Sequence, residues 1–271
     1  MNEGRSPATV LRDLFTLSSV LRRAVKAGEL TDNPVRRVDK PRIDRRGKVR
    51  FLDQAEESRL RKAMKARDEE LQNLRTSGNV RRQYRHEKLL PLLPHFGDYL
   101  TPAVLVSMNT GLRRGEVLKL RWNAIDFNRR LLTVEGPNAK NRQTRHVPLN
   151  EEAVNILRRW REQSGPATHV FDVATGFKGA WVKLLKRARI THFRWHDLRH
   201  HFASRLVQHG VPLNTVRDLL GHSSVQMSLR YAHLAPDQRR VAVAKINDHP
   251  ILALTLRLPW GGDAADVALS Y

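Results

Sequence analysis

The chain contains no cysteine, which excludes disulfide bonds, thiolate zinc sites and cysteine nucleophiles from the outset. No apolar run approaches the roughly 18 residues that a membrane-spanning helix needs, and no apolar core follows the first basic residue as a secretion signal would require. A GxxxxGK(S/T) phosphate loop is absent, as is any carboxylate cluster of the kind two-metal nucleases use, so neither ATP-driven nor two-metal chemistry finds its usual groups. Internal repeats and low-complexity tracts are also missing. Acidic residues are scarce relative to basic ones, 27 against 49 in 271 residues, for a formal charge of +22. Together these absences predict a soluble, cytoplasmic protein with no membrane partner.

What is present is positive charge on a chain with a real core. Hydrophobic residues make up 40% of the sequence, enough for one large domain or a large and a small one. The charge exceeds what solubility requires. Clustered Lys and Arg gain affinity for polyanions by releasing counterions from phosphate backbones, so a nucleic-acid partner is the leading reading. A ribosomal-type structural protein and an anionic membrane surface are the alternatives.

Along the chain, Val10, Leu14, Leu17, Leu21 and Val25 recur at spacings of three and four, which predicts a helix over 8–27 stopped by Gly28. Thr31-Asp32-Asn33-Pro34 turns the chain into a basic, proline-containing connector, Arg36 to Arg50. Asp53 and Glu56 resemble a capping box for a helix through about Ala66, and the charged stretch 67–88, interrupted by Ser77-Gly78, predicts a helix pair broken by a loop. Leu100 to Met108 and Thr110 to Leu118 read as two helical pieces joined at a Thr-Gly turn. The period then changes. Residues 125–127, 131–135 and 144–149 predict a small three-stranded antiparallel sheet, after which helices return over about 151–163, 178–188, 196–209, 213–220, 224–231 and 236–246. The fold class is mainly α (α+β), helical with one small antiparallel sheet.

The stretch RWHDLRHHF, residues 194–202, places His196 and His200 at the i, i+4 spacing of a zinc protease helix. That chemistry needs a glutamate after the first histidine. Here the residue is Asp197, one methylene shorter, and Arg199 puts a permanent positive charge on the same turn, which disfavours a dication. An anion clamp suits these residues better. His196 and Arg199 share a helix face near its start, where the arginine fork can bind two phosphate oxygens and the histidine can donate a hydrogen bond or move a proton. Further on, Leu219-Leu220-Gly221-His222 leads to Tyr231. Tyr231 is either a core aromatic with a surface hydroxyl or a nucleophile whose phosphate target is neutralised by several cations.

At this point the chain resembles the tyrosine recombinases, or phage-type integrases. Four segments carry the resemblance, TGLRRGEVLKLRW (110–122), AKNRQTRHVPL (139–149), HDLRHHFASRLVQHG (196–210) and LLGHSSVQMSLRYAH (219–233), in the family's order and spacing. The resemblance implies a partial helical core-binding domain over 1–38, a basic linker over 39–50, a catalytic domain over 51–246 and a C-terminal tail over 247–271 suited to exchange between protomers. It assigns phosphate binding to Arg113, in preference to its neighbour Arg114, with Glu116 in a structural role. It makes Lys140 the general acid, His196 and Arg199 the rest of the clamp with His196 accepting the tyrosine's proton, His222 a hydrogen-bond donor to the phosphate and Tyr231 the nucleophile.

The implied reaction is site-specific cleavage and rejoining of double-stranded DNA through a 3′-phosphotyrosyl link, with no metal, ATP or other cofactor and no small-molecule substrate. The implied assembly is a homo-tetramer on paired DNA sites in a bacterial cell, associated with the nucleoid. Only the end of a core-binding domain is recognisable, so the resemblance also implies N-terminal truncation. The competing expectation is a truncated integrase that only binds DNA.

Overall fold

The computed structural model describes residues 4–42, 49–136, 143–172 and 177–235. The chain divides into two compact units, one up to Lys48 and one from Val49 onward.

In the first unit, helix α1 (Pro7–Lys26) starts where the Ser6 hydroxyl accepts from the Thr9 backbone N–H and Pro7 fills the first helical position. Gly28, at φ 78, lies just beyond its end. Asn33 then fixes the exit. Its side chain donates to the Ser18 carbonyl at 3.0 Å and accepts from Val35 N at 3.1 Å, so the Asn-Pro pair marks a built turn.

The second unit opens with α2 (Gln54–Tyr84), capped by the reciprocal Asp53–Glu56 box that the sequence suggests. The expected break at Ser77-Gly78 does not occur: α2 is one helix of 31 residues. Gly78 faces open space, so its cost is only the backbone entropy of about 1 kcal/mol. The returning segment offsets that cost. Asn79 clasps Leu90 by donating to its carbonyl at 2.8 Å and accepting from its N–H at 2.9 Å, and Arg75 donates to the Pro91 carbonyl.

Helix α3 (Leu100–Thr110) is the axis of the unit, with nine of its 11 residues buried, and it packs against α5 (Glu151–Ser164) and α7 (Trp195–Gln208). Short α4 (Arg114–Leu118) follows, then the antiparallel sheet β1 (Ile125–Asp126), β2 (Leu131–Val134) and β3 (Arg145–Pro148) in that order, with Leu132 opposite Val147 and Val134 opposite Arg145. Helices α6 (Phe177–Arg187), α8 (Leu213–Leu220) and the single turn α9 (Gln226–Leu229) complete it. The helix expected over 224–231 is therefore shorter, and Tyr231 sits in the turn after it. The helix expected over 236–246, the tail and Lys140 lie outside the described residues.

Two clusters of buried apolar residues result. The large one runs from Leu52 to Leu198, and a small one joins Ala203 and Val207 of α7, Val216 and Leu220 of α8, and Tyr231. Gly111 links the clusters to the turn after α3. It adopts φ 63, and a Cβ there would lie 2.5 Å from Phe202 Cδ1 and 2.9 Å from Leu220 Cδ2. Gly111→Ala is therefore expected to cost about 3 kcal/mol from left-handed strain and overpacking, read as a lower urea midpoint; an unchanged midpoint contradicts this packing.

Candidate active site

The site forms where the turn after α3, strand β3, the start of α7 and the end of α8 meet. Thr110 donates its hydroxyl to the Val106 carbonyl and Gly111 turns left-handed, so Arg113 emerges as the N-cap of α4. Its backbone N–H and its Nη1 both donate to Glu116, each at 2.8 Å, and its Nη2 donates to the Gly221 carbonyl at 3.4 Å. Arg114, the rival for the same role, is exposed.

Glu116 is a charge hub. Its side chain is 3% exposed and receives a second fork from Arg145, at 2.7 and 3.1 Å. Burial pushes its carboxyl up, but the hydrogen bond and charge of Arg145, joined by Arg113, outweigh burial and hold it below the ordinary glutamate value. Arg145 also donates to the Leu219 carbonyl at 3.1 Å. Sequence reasoning missed Arg145, although a signal was there: in β3 it alternates with His146 onto the inward face beside Val147, where a charge needs a buried partner.

Arg199, on α7, is 3% exposed and is spent on backbone: it donates to the Gly111 carbonyl at 2.9 Å and to the Leu220 carbonyl. Burial, then repulsion from Arg113, pulls its guanidinium down to about 9, so it stays charged at neutral pH. His196 lies one turn earlier, shifted downward by burial and by Arg199. Asp197 is occupied by the helix start, accepting from the Arg194 N–H at 2.7 Å and its Nη2 at 3.0 Å. His196 and His200 meet edge to face with centroids 5.1 Å apart. No group of three or more metal-ligating side chains occurs among the described residues.

His222 follows the left-handed Gly221, and its Nδ1 lies 2.9 Å from the hydroxyl of buried Ser228. Burial and the charges of Arg199, Arg113 and Arg230 pull it down to about 3. Tyr231 is 1% exposed, its hydroxyl 2.7 Å from His200 Nδ1. Burial pushes the phenol up to about 12, opposed by the charges of Arg199 and Arg230. The phenol's partner is thus His200 and not His196, a contact that the i, i+4 pattern alone could not show. His201, next along, instead meets Glu57 at 3.5 Å, and that carboxyl is pulled down to about 2, first by His201 and then by Arg61.

Arg113 and Arg199 donate to the adjacent carbonyls of Gly221 and Leu220, His222 follows directly, and His196 and Tyr231 both meet His200, the residue after Arg199. The sixth expected residue, Lys140, lies outside the described residues.

The fold has solved counterparts. It superposes on the Tn1549 transposon integrase, solved in complex with a circular intermediate DNA, with a TM-score of 0.62 at 20% identity over 90% of this chain and 81% of that one. A helical unit with this small antiparallel sheet is the fold of a tyrosine-recombinase catalytic domain. Residues 87–238 match the phage integrase family. A tyrosine recombinase of Thermosipho africanus is 30% identical over 254 residues, which is 90% of this chain and 78% of the relative. The shufflon-specific DNA recombinase of Escherichia coli is 34% identical over 232 residues, 83% of this chain and 51% of that protein. The chain belongs to the phage integrase family, the tyrosine recombinases. It spans about half the length of the first curated relatives it matches.

Because the Glu116 carboxyl is held below its unfolded value, its contribution is complete above the ordinary glutamate range and is lost as pH falls through that range toward the lower folded value. Glu116→Gln is expected to cost about 3 kcal/mol at pH 7 by leaving two guanidinium groups without their counter-charge, and the gap to wild type in urea unfolding narrows as pH falls below the ordinary glutamate value. A gap independent of pH contradicts the hub.

Proposed function

We propose that this chain is a site-specific recombinase that cleaves and rejoins double-stranded DNA through Tyr231, forming a 3′-phosphotyrosyl link. One observation carries the reading: two guanidinium groups, Arg113 and Arg199, are fixed on the adjacent carbonyls of Gly221 and Leu220, next to His222, and Arg199 directly precedes the histidine that holds the buried Tyr231 phenol. Three arginines meet there, counting Arg145: Arg113 and Arg145 share the Glu116 carboxylate, and Arg199 donates to the Gly111 and Leu220 carbonyls. Burial, and after it the surrounding positive charge, depresses Arg199 and His222 together, and a bound phosphodiester offsets that charge.

In the reaction, Arg113 and Arg199 stabilise the pentacoordinate phosphorus by fixed charge, and His222 donates a hydrogen bond to a nonbridging oxygen. Tyr231 displaces the 5′-oxygen, and Lys140 protonates it on departure. The bond energy stays in the phosphotyrosyl link, so a second DNA end reverses the step without ATP. Residues 51–246 form the catalytic domain, 1–38 the core-binding element, 39–50 the linker and 247–271 a tail that docks on a neighbouring protomer in a tetramer on paired sites. The net charge of +22 suits the duplex, and no helix among the described residues is long and apolar enough to cross a membrane.

The test uses a pool of nicked duplexes with randomised sequence around the nick, in EDTA. Wild type is expected to give a denaturant-resistant protein–DNA adduct that Tyr231→Phe lacks, and Arg113→Lys to lose roughly 100-fold more cleavage than binding, because one bidentate contact made in the transition state is lost while bulk charge is kept. Binding without any adduct supports a DNA-binding protein alone, and an adduct that survives Tyr231→Phe removes the tyrosine from the mechanism.

A further inference from the structure

Resting on that reading, we propose that His200 is a further catalytic residue: its Nδ1 holds the Tyr231 hydroxyl and takes the phenolic proton as the tyrosine attacks phosphorus. The geometry is already assembled in the free chain. The Oη to Nδ1 distance is 2.7 Å, and the two rings are tilted by 52° with centroids 5.9 Å apart. A general base must lie within about 2.6–3.2 Å, heavy atom to heavy atom, of the group whose proton it abstracts. His200 does, and His196, the residue the family resemblance points to, stands edge-on to His200 instead.

Placement on α7 makes the arrangement rigid. His200 directly follows Arg199, whose two bonds to the Gly111 and Leu220 carbonyls lock that turn of the helix. Tyr231 is held from its other side by the small apolar cluster of Ala203, Val207, Val216 and Leu220. The phosphate clamp and the base thus sit on one turn of one helix, and the nucleophile packs against that helix and its neighbour α8. His196 is left to face the phosphate.

The step balances. The Tyr231 O–H bond breaks and the O–P bond forms, the proton passing to His200 Nδ1; the bond from phosphorus to the 5′-oxygen breaks, and that oxygen takes a proton from Lys140. In rejoining, each proton returns. Before DNA binds, the proton stays on the phenol, because Tyr231 is pushed up to about 12 while burial, and then His196, pulls His200 down to about 4. The free enzyme is therefore not a standing nucleophile, and proton transfer accompanies bond formation to phosphorus. The charged and titratable groups acting on His200 are His196, Asp197 and Arg199 on α7 and Arg230 beside the nucleophile, with Tyr231 itself its hydrogen-bond partner.

The experiment compares wild type, His200→Asn, Lys140→Ala and Tyr231→Phe in single-turnover cleavage of a nicked duplex recovered from the randomised pool, from pH 6 to pH 9, with DNA affinity and thermal midpoint measured in parallel. Asparagine presents an oxygen close to the position of Nδ1 and accepts the phenol's hydrogen bond, but it cannot take the proton. We expect His200→Asn to bind DNA as wild type does and to cleave about 10² to 10⁴-fold more slowly at pH 7. Its rate should climb about tenfold per pH unit as solvent base replaces the histidine, where wild type stays flat. On a substrate with sulfur in place of the 5′-bridging oxygen, whose leaving group needs no proton, Lys140→Ala recovers and His200→Asn does not.

Three results overturn the role of His200 alone: cleavage by His200→Asn within about threefold of wild type, a deficit equal at every pH and matched by lost binding or stability, or a deficit erased by the sulfur leaving group. Absence of any wild-type adduct overturns the recombinase reading, and this role with it.

Discussion

Like charges repel, and the whole site depends on how three guanidinium groups are kept together. The end of helix α8 does most of this: the carbonyls of Leu219, Leu220 and Gly221 accept in turn from Arg145, Arg199 and Arg113. The last carbonyls of a helix have no intrahelical partner and carry the negative end of its dipole, so they attract cations. Gly221, left-handed at the C-cap, ends the helix so that these groups face the site. A Cβ there would lie 2.9 Å from Arg145 Cδ. Glu116 adds the one full negative charge, shared between Arg113 and Arg145. Arg199 takes its remaining bond from Gly111, at the end of α3.

This construction separates two kinds of arginine. Arg145 and Arg199 are buried and largely consumed by protein acceptors. Arg113 is the more open of the clamp, with 19% of its side chain exposed. The charge of Arg199 is nonetheless felt by His222 and Tyr231, because little water intervenes to screen it. The fold thus presents a preorganised positive site next to a phenol that is closed off by its own small core.

Much of this was legible in the sequence because local rules and global fold agree. Asp53 caps its helix through its own side chain, with Glu56 closing the box, and strands alternate as their inward positions require. Arg113 was separable from Arg114 only through the family pattern; in the fold Arg113 is tied to Glu116 and Arg114 is exposed. The rest was hidden by long-range contacts. Ser77-Gly78 looked like a break because the strap that steadies α2 there returns about a dozen residues later. His200 was weighed only as half of a metal pair and set aside with it, because its partner, Tyr231, is 31 positions away. Arg145 was passed over within a quoted motif because its partners lie on α4 and at the end of α8.

The central claim is that these side chains surround one phosphorus atom and that Tyr231 becomes bonded to it. The most direct measurement is peptide mass spectrometry of the trapped protein–DNA adduct after protease and nuclease digestion. The account predicts a nucleotide linked through its 3′-phosphate to the peptide carrying Tyr231, with fragment ions placing the added mass on that residue. The same mass on Tyr84, Tyr99, Tyr271 or any non-tyrosine side chain would contradict it.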